Sequence, residues 1–406
     1  MAESDVTAVG ARVWLINGSE DDWLPAVVDQ CDGVEVVYRT DYGEERRMWI
    51  SEIDAGVVRL MNDTLSEGMD DMAKMAELNQ ASILCNLNTR YGKNSIYTYI
   101  GSILISLNPY KRLPALYSEE TLHSYTNKDL GEEPPHVFAI ANECYTCMWK
   151  REESQCVLIS GESGAGKTEA TKFILSYLST VSQQSMGKEE TIPAKGRSIE
   201  QSILESGPLL EALGNAKTVF NNNSSRFGKF VQLLFNHSGQ IKGGRITDYL
   251  LEKHRVVRQN PGERNYHIFY QLLNGVPSKD KGKLFLTEAK DYHYLNQSGC
   301  VADPSLNDEE DWEAFEKALA VIGFKEGQRM DMRLVLAGIL QLGNVAFANA
   351  GGAQVVDTDV IDRASQLLGI EAERLEAVMK ERTMKLRGEF ITSPQSIDQV
   401  NSVQWS

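Results

Sequence analysis

Up to about residue 60, short apolar runs alternate with polar turns; after that the pattern lengthens. "RVWLI", "LPAVVDQC", "VEVVYRT" and "ERRMWI" are brief and rich in Val, Ile, Trp and Tyr, the composition of strands. Asp32-Gly33 supplies a hairpin turn between two of them, and Asp41-Tyr42-Gly43 marks another. From about Ser66 helical and strand periods mix. "IYTYIGSILISLNPY" (residues 96–110) predicts one or two strands ending in a turn. "QCVLIS" (155–160) predicts a short strand running into a glycine-rich loop. Beyond the loop Phe173, Ile174, Tyr177, Leu178 and Val181 recur at helical spacing, so the loop joins a strand to an amphipathic helix. "SQQSMGKEETIPAKGR" (182–197) predicts a mobile surface loop, and Ser198 with Gln201 resembles a capping box opening the next helix. "GGRITDYLLEKHRVV" predicts strand and turn, "ERNYHIFYQLL" a helix, and the last third is mostly helical with 334–342 buried.

The first pattern fits a small all-β SH3-like barrel, either a peptide-binding module or a structural accessory. The second predicts an α/β core. A chain of 406 residues is long enough for one large core or two to three ordinary domains, and 42% hydrophobic with 24% charged residues is an ordinary globular balance. The net charge of −16 favours solubility and argues against general nucleic-acid binding, while leaving room for a local basic face. The start "MAESDVTAVGARVWL" carries no charged-then-apolar leader, and "LVLAGILQLG" from Leu334 is too short to span a bilayer. A cytoplasmic protein with no membrane span is expected. Six scattered cysteines make no disulfide framework, which fits a reducing compartment. Cys144 and Cys147 have CxxC spacing, but they fall in a predicted helix where i and i+3 share a face, with no second pair nearby.

Gly161-Glu162-Ser163-Gly164-Ala165-Gly166-Lys167-Thr168 satisfies G-x-x-x-x-G-K-[ST]. Glycines let such a loop curl until successive N–H groups point inward at phosphate oxygens, and the following helix adds the positive end of its dipole. Lys167 would reach the β- and γ-phosphates, and the Thr168 hydroxyl would ligate Mg²⁺. Guanine specificity has no support, because the nearest N-K-x-D candidate, "TNKDL" at 126–130, has its Asp one place early and precedes the loop. A second stretch, "NAKTVFNNNSSRFGKF" (215–230), is poor core material. Its serines can ligate Mg²⁺ or hold a phosphate oxygen, its asparagines can donate to phosphate, and Arg226 offers a bidentate fork; a solvated polar turn is the other reading.

Together, "GESGAGKTE" and "NNNSSRFGK" resemble the phosphate loop and first switch loop of the myosin motor domain. "YTYIGSILISLNPY", "PPHVFAIANECY", "LEALGNAKT", "DYLLEKHRVV" and "ERNYHIFYQLL" resemble myosin segments in the same order, and "RTDYGEE" is similar to unconventional classes with MyTH4-FERM tails. A kinesin-type microtubule motor also uses "SSR", but without "FGK" after it. The resemblance implies a P-loop NTPase motor core with a mixed central sheet flanked by helices (63–406), preceded by the barrel (1–62). It implies ATP and Mg²⁺ as cofactors, actin filaments as partner and a cytoskeletal location. Asn108, Pro109, Lys111 and Tyr117 match the adenine pocket, although the loop is one residue longer near Tyr117. The resemblance further implies nucleotide contacts from Gly161 to Thr168 and from Asn221, Asn223, Ser224 and Ser225. Lys167 and Asn221 grip the phosphates, Thr168 and Ser225 ligate Mg²⁺, and Ser224 touches the attacking water. "TMKLRGEFITSP" resembles the strand and loop that reach actin, with Glu389 at its acidic control position.

In the family Arg226 pairs with a glutamate of a D-x-x-G-F-E second switch, and no such segment occurs here. Switch II, the relay helix, the converter and the neck with its calmodulin-like light chains are thus expected to be missing, along with the C-terminal part of the motor. Both neighbours of the "CVLIS" strand would then lie beyond residue 406, and negligible ATP hydrolysis by the isolated chain is expected. The alternative is a short nucleotide- or partner-binding module without turnover.

Overall fold

The computed structural model of the chain describes residues 6–18, 23–54, 56–61, 67–75, 78–184, 199–349, 352–386 and 389–404. The chain divides into two compact units, Met1–Gly161 with Ala165–Leu178, and Glu162–Gly164 with Ser179–Ser406.

In the first unit β1 (Arg12–Ile16), β2 (Trp23–Cys31), β3 (Glu35–Thr40), β4 (Glu45–Trp49) and β5 (Val58–Leu60) form one antiparallel sheet in the order β4-β3-β2-β1-β5. Alternation turns Val13, Leu15, Ala26, Val28, Val36, Tyr38 and Val58 inward, the small core expected of a barrel. The Asp-Gly hairpin is present. Asp32 Oδ1 accepts from the amides of Val34 (2.9 Å) and Glu35 (2.7 Å), and Gly33 takes φ 87°, which glycine adopts without steric strain.

Past the barrel, Asn79 caps α1 (Gln80–Gly92) by accepting from the Ser82 amide. From α1 the buried Arg90 donates to the Thr98 hydroxyl, the Tyr97 carbonyl and Asp70, fixing β6 (Tyr97–Ile100) against the helix. β6 pairs with β7 (Ile103–Ser106), so 96–110 does yield two strands and a turn. α2 (Glu119–Ser124), α3 (Val137–Arg151) and α4 (Lys167–Gln184) follow. Cys144 and Cys147 lie on α3 as expected, Cys147 Sγ donating to Glu143 at 3.0 Å.

One strand prediction fails between α3 and α4. Residues 155–160 pair with no strand among the described residues, and Leu158 is 90% exposed. An apolar run supplies strand propensity, but a ladder also needs a neighbour's N–H and C=O groups.

The second unit begins its regular structure with α5 (Ile199–Gly214). Two antiparallel pairs follow: β8 (Asn215–Ala216) with β9 (Ser224–Ser225), and the long hairpin of β10 (Gly228–Phe235) and β11 (Ile241–Tyr249). Then come α6 (His267–Gly275), α7 (Ser278–Lys281), α8 (His293–Asn296), α9 (Asp308–Ile322) and α10 (Glu326–Leu342). A ribbon of β12 (Phe347–Asn349) and β13 (Ala353–Val355) leads to α11 (Thr358–Leu368) and α12 (Ala372–Lys380). The hairpin of β14 (Glu381–Leu386) and β15 (Glu389–Pro394), then α13 (Ile397–Gln404), complete the order.

The unit's core gathers Ile268, Tyr270, Leu272, Leu284, Leu295, Trp312, Phe315, Leu319, Ala337 and Leu340. Within it Arg264 is fully buried, paired with both oxygens of Asp308 (3.2 and 2.7 Å) and lying 3.6 Å over the Tyr270 ring. A buried guanidinium requires such a set of partners.

The α/β class stands, but the expected mixed central sheet is not assembled among the described residues: outside the barrel all named strands form two-stranded antiparallel ribbons. Three smaller expectations change. Ser182, read as the start of a surface loop, lies inside α4; it is 1% exposed and its hydroxyl accepts from the Ile241 amide at 2.8 Å. The rest of that stretch, with Ser198 of the expected capping box, lies outside the described residues. The "ERNYHIFYQLL" helix begins only at His267, because Asn265 is drawn off helix by its own amide donating to the Val256 and Tyr294 carbonyls. Val335, within the expected buried run, is 48% exposed, since α10 buries one face only.

Candidate functional site

The first unit supplies the glycine-rich loop's exit and an aromatic nest. Gly161 and Gly166 take φ of 157° and 98°, left-handed-side conformations that the loop's curl requires. The Lys167 ammonium folds back onto the Gly161 carbonyl at 2.6 Å, so the loop already closes around its own cation. α4 starts at Lys167 itself, its first backbone bond running from Ala170 to Gly166, and half-buried Thr168 stands in its first turn. The positive end of an eighteen-residue helix dipole therefore falls on the loop.

The same helix carries Phe173, whose ring stacks on Tyr117 at 3.7 Å and 2°. The Tyr117 hydroxyl meets that of Tyr97 at 2.9 Å, and its ring packs on His136 and Phe138. His136 caps α3 through the Phe138 amide, and burial pushes its pKa down to about 4, so the ring is neutral. Tyr117 is therefore fixed on several sides despite the extra residue in its loop. Asn108 accepts from the Tyr110 amide at 2.8 Å, bending the loop at Tyr110, which has φ 50°. Lys111 beside it is exposed and Pro109 half-buried.

In the second unit the middle of the glycine-rich loop meets the asparagine-serine loop. The Ser163 and Ser224 hydroxyls lie 2.9 Å apart, and Gly164 (φ 82°) approaches the Asn221 side chain. Local sequence explains how the loop is held. Thr218 and Asn221 close a tight turn with reciprocal bonds, the Asn221 amide donating to the Thr218 hydroxyl and that hydroxyl donating to the Asn221 carbonyl, each at 3.1 Å. Asn221 Oδ1 then accepts from the Asn223 amide at 3.0 Å. The Asn223 side chain is spoken for within the unit, accepting from Asn215 and donating to Glu211. Ser224 is 2% exposed while Ser225, next on β9, faces outward.

Arg226 donates through Nη1 to Ser224 at 3.1 Å and through Nε to Glu252 at 2.6 Å. Glu252 escaped the sequence reading. Its signal was a carboxylate just ahead of three basic residues in "LEKHR", and nothing in the spacing links it to residue 226. Burial works to raise the Glu252 carboxyl, but bonds from Arg226 and Arg255 outweigh it and hold the pKa below the ordinary value. The Glu389 backbone opens β15, paired with Leu386 across a turn whose tip lies outside the described residues.

Taken by itself, the first unit offers an ammonium and the Thr168 hydroxyl, and the second offers serine hydroxyls and asparagine amides, donor types that suit phosphate and a hard cation. Among the described residues no group of three or more His, Cys, Asp or Glu could hold a metal on its own, and no helix is long and apolar enough to cross a membrane.

Comparison with known proteins shows the family of the chain. Residues 69–405 match the family described as myosin head (motor domain), and residues 9–62 match the N-terminal SH3 domain described for myosin X. The chain belongs to the myosin motor family, whose members are actin-based ATPases. It is 40% identical over 402 residues to unconventional myosin-VIIb of Mus musculus, covering 97% of this chain and 18% of that protein. It is 41% and 40% identical over 394 residues to Myosin-6 and Myosin-8 of Arabidopsis thaliana, covering 95% of this chain and 25% of each. The chain thus spans about a fifth to a quarter of the length of these relatives.

Proposed function

We propose that this chain is the nucleotide-holding part of an actin-based motor, with a barrel over 1–62 and motor sequence over 63–406. In this reading it binds Mg-ATP, and the protein that contains it couples hydrolysis to movement on actin. The observation that carries the reading is the meeting of Ser163, Ser224 and Arg226, one hydroxyl from the glycine-rich loop and two groups from the switch loop within hydrogen-bond reach.

Phosphoryl transfer to water needs positioning and charge stabilisation more than covalent help. The backbone amides from Gly161 to Gly166 cradle the phosphates, with Lys167 and Asn221 gripping them. Ser224, held by Arg226, orients the attacking water. Asn108, Pro109, Lys111 and Tyr117 receive the adenine, and Tyr117 is braced for this by Phe173 and Tyr97. Asn223 acts from behind, since its amide is bonded to Glu211 and Asn215. Thr168 and Ser225 would hold Mg²⁺, which when bound neutralises charge on the phosphate oxygens. The β14–β15 hairpin, with Glu389 as an acidic control position, is the actin-facing loop, and light chains of the calmodulin type would bind a neck outside this chain. The location follows as cytoplasmic and cytoskeletal.

The test is Lys167→Ala. Equilibrium binding of a fluorescent ATP analogue is expected to be lost in the variant at unchanged melting temperature. Binding equal to wild type would refute the assignment.

A further inference from the structure

Arg226 does not stand free beside Ser224. Its backbone is pinned at both polar groups: the N–H donates to the Gly214 carbonyl at 2.8 Å, and its carbonyl accepts from the Glu252 amide at 3.0 Å. The side chain is then divided. Nε goes to Glu252 Oε2 at 2.6 Å, and Nη1 goes to Ser224 at 3.1 Å. The same Oε2 takes Nε of Arg255 at 2.7 Å, and Oε1 lies 3.1 Å from Nε2 of His254.

Arg255 cannot shift. It is 3% exposed, and its Nη1 is bound to Glu263 at 2.9 Å and to the Arg264 carbonyl at 3.2 Å. The Glu252 carbonyl is fixed as well, accepting from the Tyr266 hydroxyl at 2.8 Å. A continuous chain of bonds therefore runs from the buried core to the loops: Glu263, Arg255, Glu252, Arg226, Ser224, Ser163.

We infer that Glu252 is a positioning residue for the hydrolytic step: it holds Arg226 by Nε, so that the two terminal guanidinium nitrogens are presented toward Ser224 and toward any acid that closes the site. The inference rests on the proposed ATPase reading. A guanidinium has three edges, and an acceptor fixed on the Nε edge selects one rotamer of a long, rotamer-rich side chain. The carboxylate also offsets the repulsion between two arginines that share one oxygen, which a neutral amide does only in part. Without Glu252, Arg226 loses its acid and faces Arg255, which keeps Glu263, and Arg226 turns away from Ser224. The backbone amides and Lys167 that bind nucleotide in this reading are not held by Glu252, whereas alignment of the attacking water through Ser224 is.

The experiment uses the full-length protein with Glu252→Gln, which keeps shape and one acceptor, and Glu252→Ala. ATP-analogue binding, the phosphate burst in a single turnover, and melting temperature are read together. In Glu252→Gln the burst rate is expected to fall tenfold or more, with ATP affinity within about threefold of wild type. In an Arg226→Ala background, adding Glu252→Gln is expected to produce no further loss, as for two groups acting through one route. Two results would overturn the inference: a wild-type burst rate in Glu252→Gln, or an equal additional loss in the Arg226→Ala background, which marks a general structural role. If Glu252→Ala melts early, the isosteric variant and the double variant still decide. Failure of wild type to bind or turn over ATP would instead remove the underlying reading.

Discussion

Gly214 ends α5 and its carbonyl accepts from the Arg226 amide, so its side-chain space touches the switch loop directly. A Cβ built there falls 2.4 and 2.5 Å from two carbons of the Phe227 ring and 3.3 Å from a third. Carbon pairs pack best near 3.5–4.0 Å, so Gly214→Ala forces an overlap of roughly 1 Å. A rigid ring relieves it only by leaving its rotamer, at about 0.5–1.5 kcal/mol, or by pushing back the end of α5 and stretching the bond to Arg226. Overpacking of this kind costs about 1–3 kcal/mol. The helical preference for Ala over Gly, at most about 1 kcal/mol, works the other way and is weak at a terminal position. A net loss of about 1–2 kcal/mol is expected, lowering the melting temperature by roughly 2–8 °C for a unit of this size. Circular dichroism melts of Gly214→Ala and of Gly214→Ala with Phe227→Leu provide the assay, the second change being expected to recover most of the loss. A melting temperature at or above wild type for the single variant, or no recovery in the double, would refute the close-packing argument.

Other outcomes follow from buried polar groups. Ser182→Ala strands the Ile241 amide without its acceptor and is expected to cost about 1–3 kcal/mol in thermal unfolding, while Ser182→Thr keeps the bond; equal stability of the Ala variant would refute it. Burial lowers the pKa of both His136 and His267 to about 4, so the unfolded chain, titrating near 6.5, binds these protons first. Their contribution is whole above about pH 6.5 and is lost as pH falls toward 4, at most about 3 kcal/mol each; a melting temperature flat from pH 7 to 4.5 would contradict this.

What could be read from the sequence was local. The alternation of the barrel strands and the Asp32-Gly33 turn are written in neighbouring residues, as are the curl of Gly161–Gly166 and the helix that carries Phe173, and all of them are found. What could not be read needs distant partners. Residues 155–160 have the right composition for a strand, but strand pairing depends on another stretch of backbone. Ser182 looked like loop because it is polar, yet its hydroxyl serves an amide fifty-nine residues on. Glu252 was invisible for the same reason, twenty-six positions from the arginine it holds. Residues 185–197, the rest of the stretch expected to be a mobile surface loop, lie outside the described residues.

The unpaired run at 155–160 has a bearing on how the chain survives in solution. An apolar segment with a leucine 90% exposed and backbone groups unladdered is a seed for self-association. Its sequence surroundings carry the countermeasure: Lys150, Arg151, Glu152 and Glu153 stand just before it, and Glu162 just after. Charges in those places act as gatekeepers, making side-by-side stacking of two copies repulsive at close range. The glycine-rich loop that follows contributes too, since its curled backbone cannot extend a growing ladder. Charged residues on both sides of 155–160 and the curled loop after it thus disfavour pairing of this run with a second copy of itself.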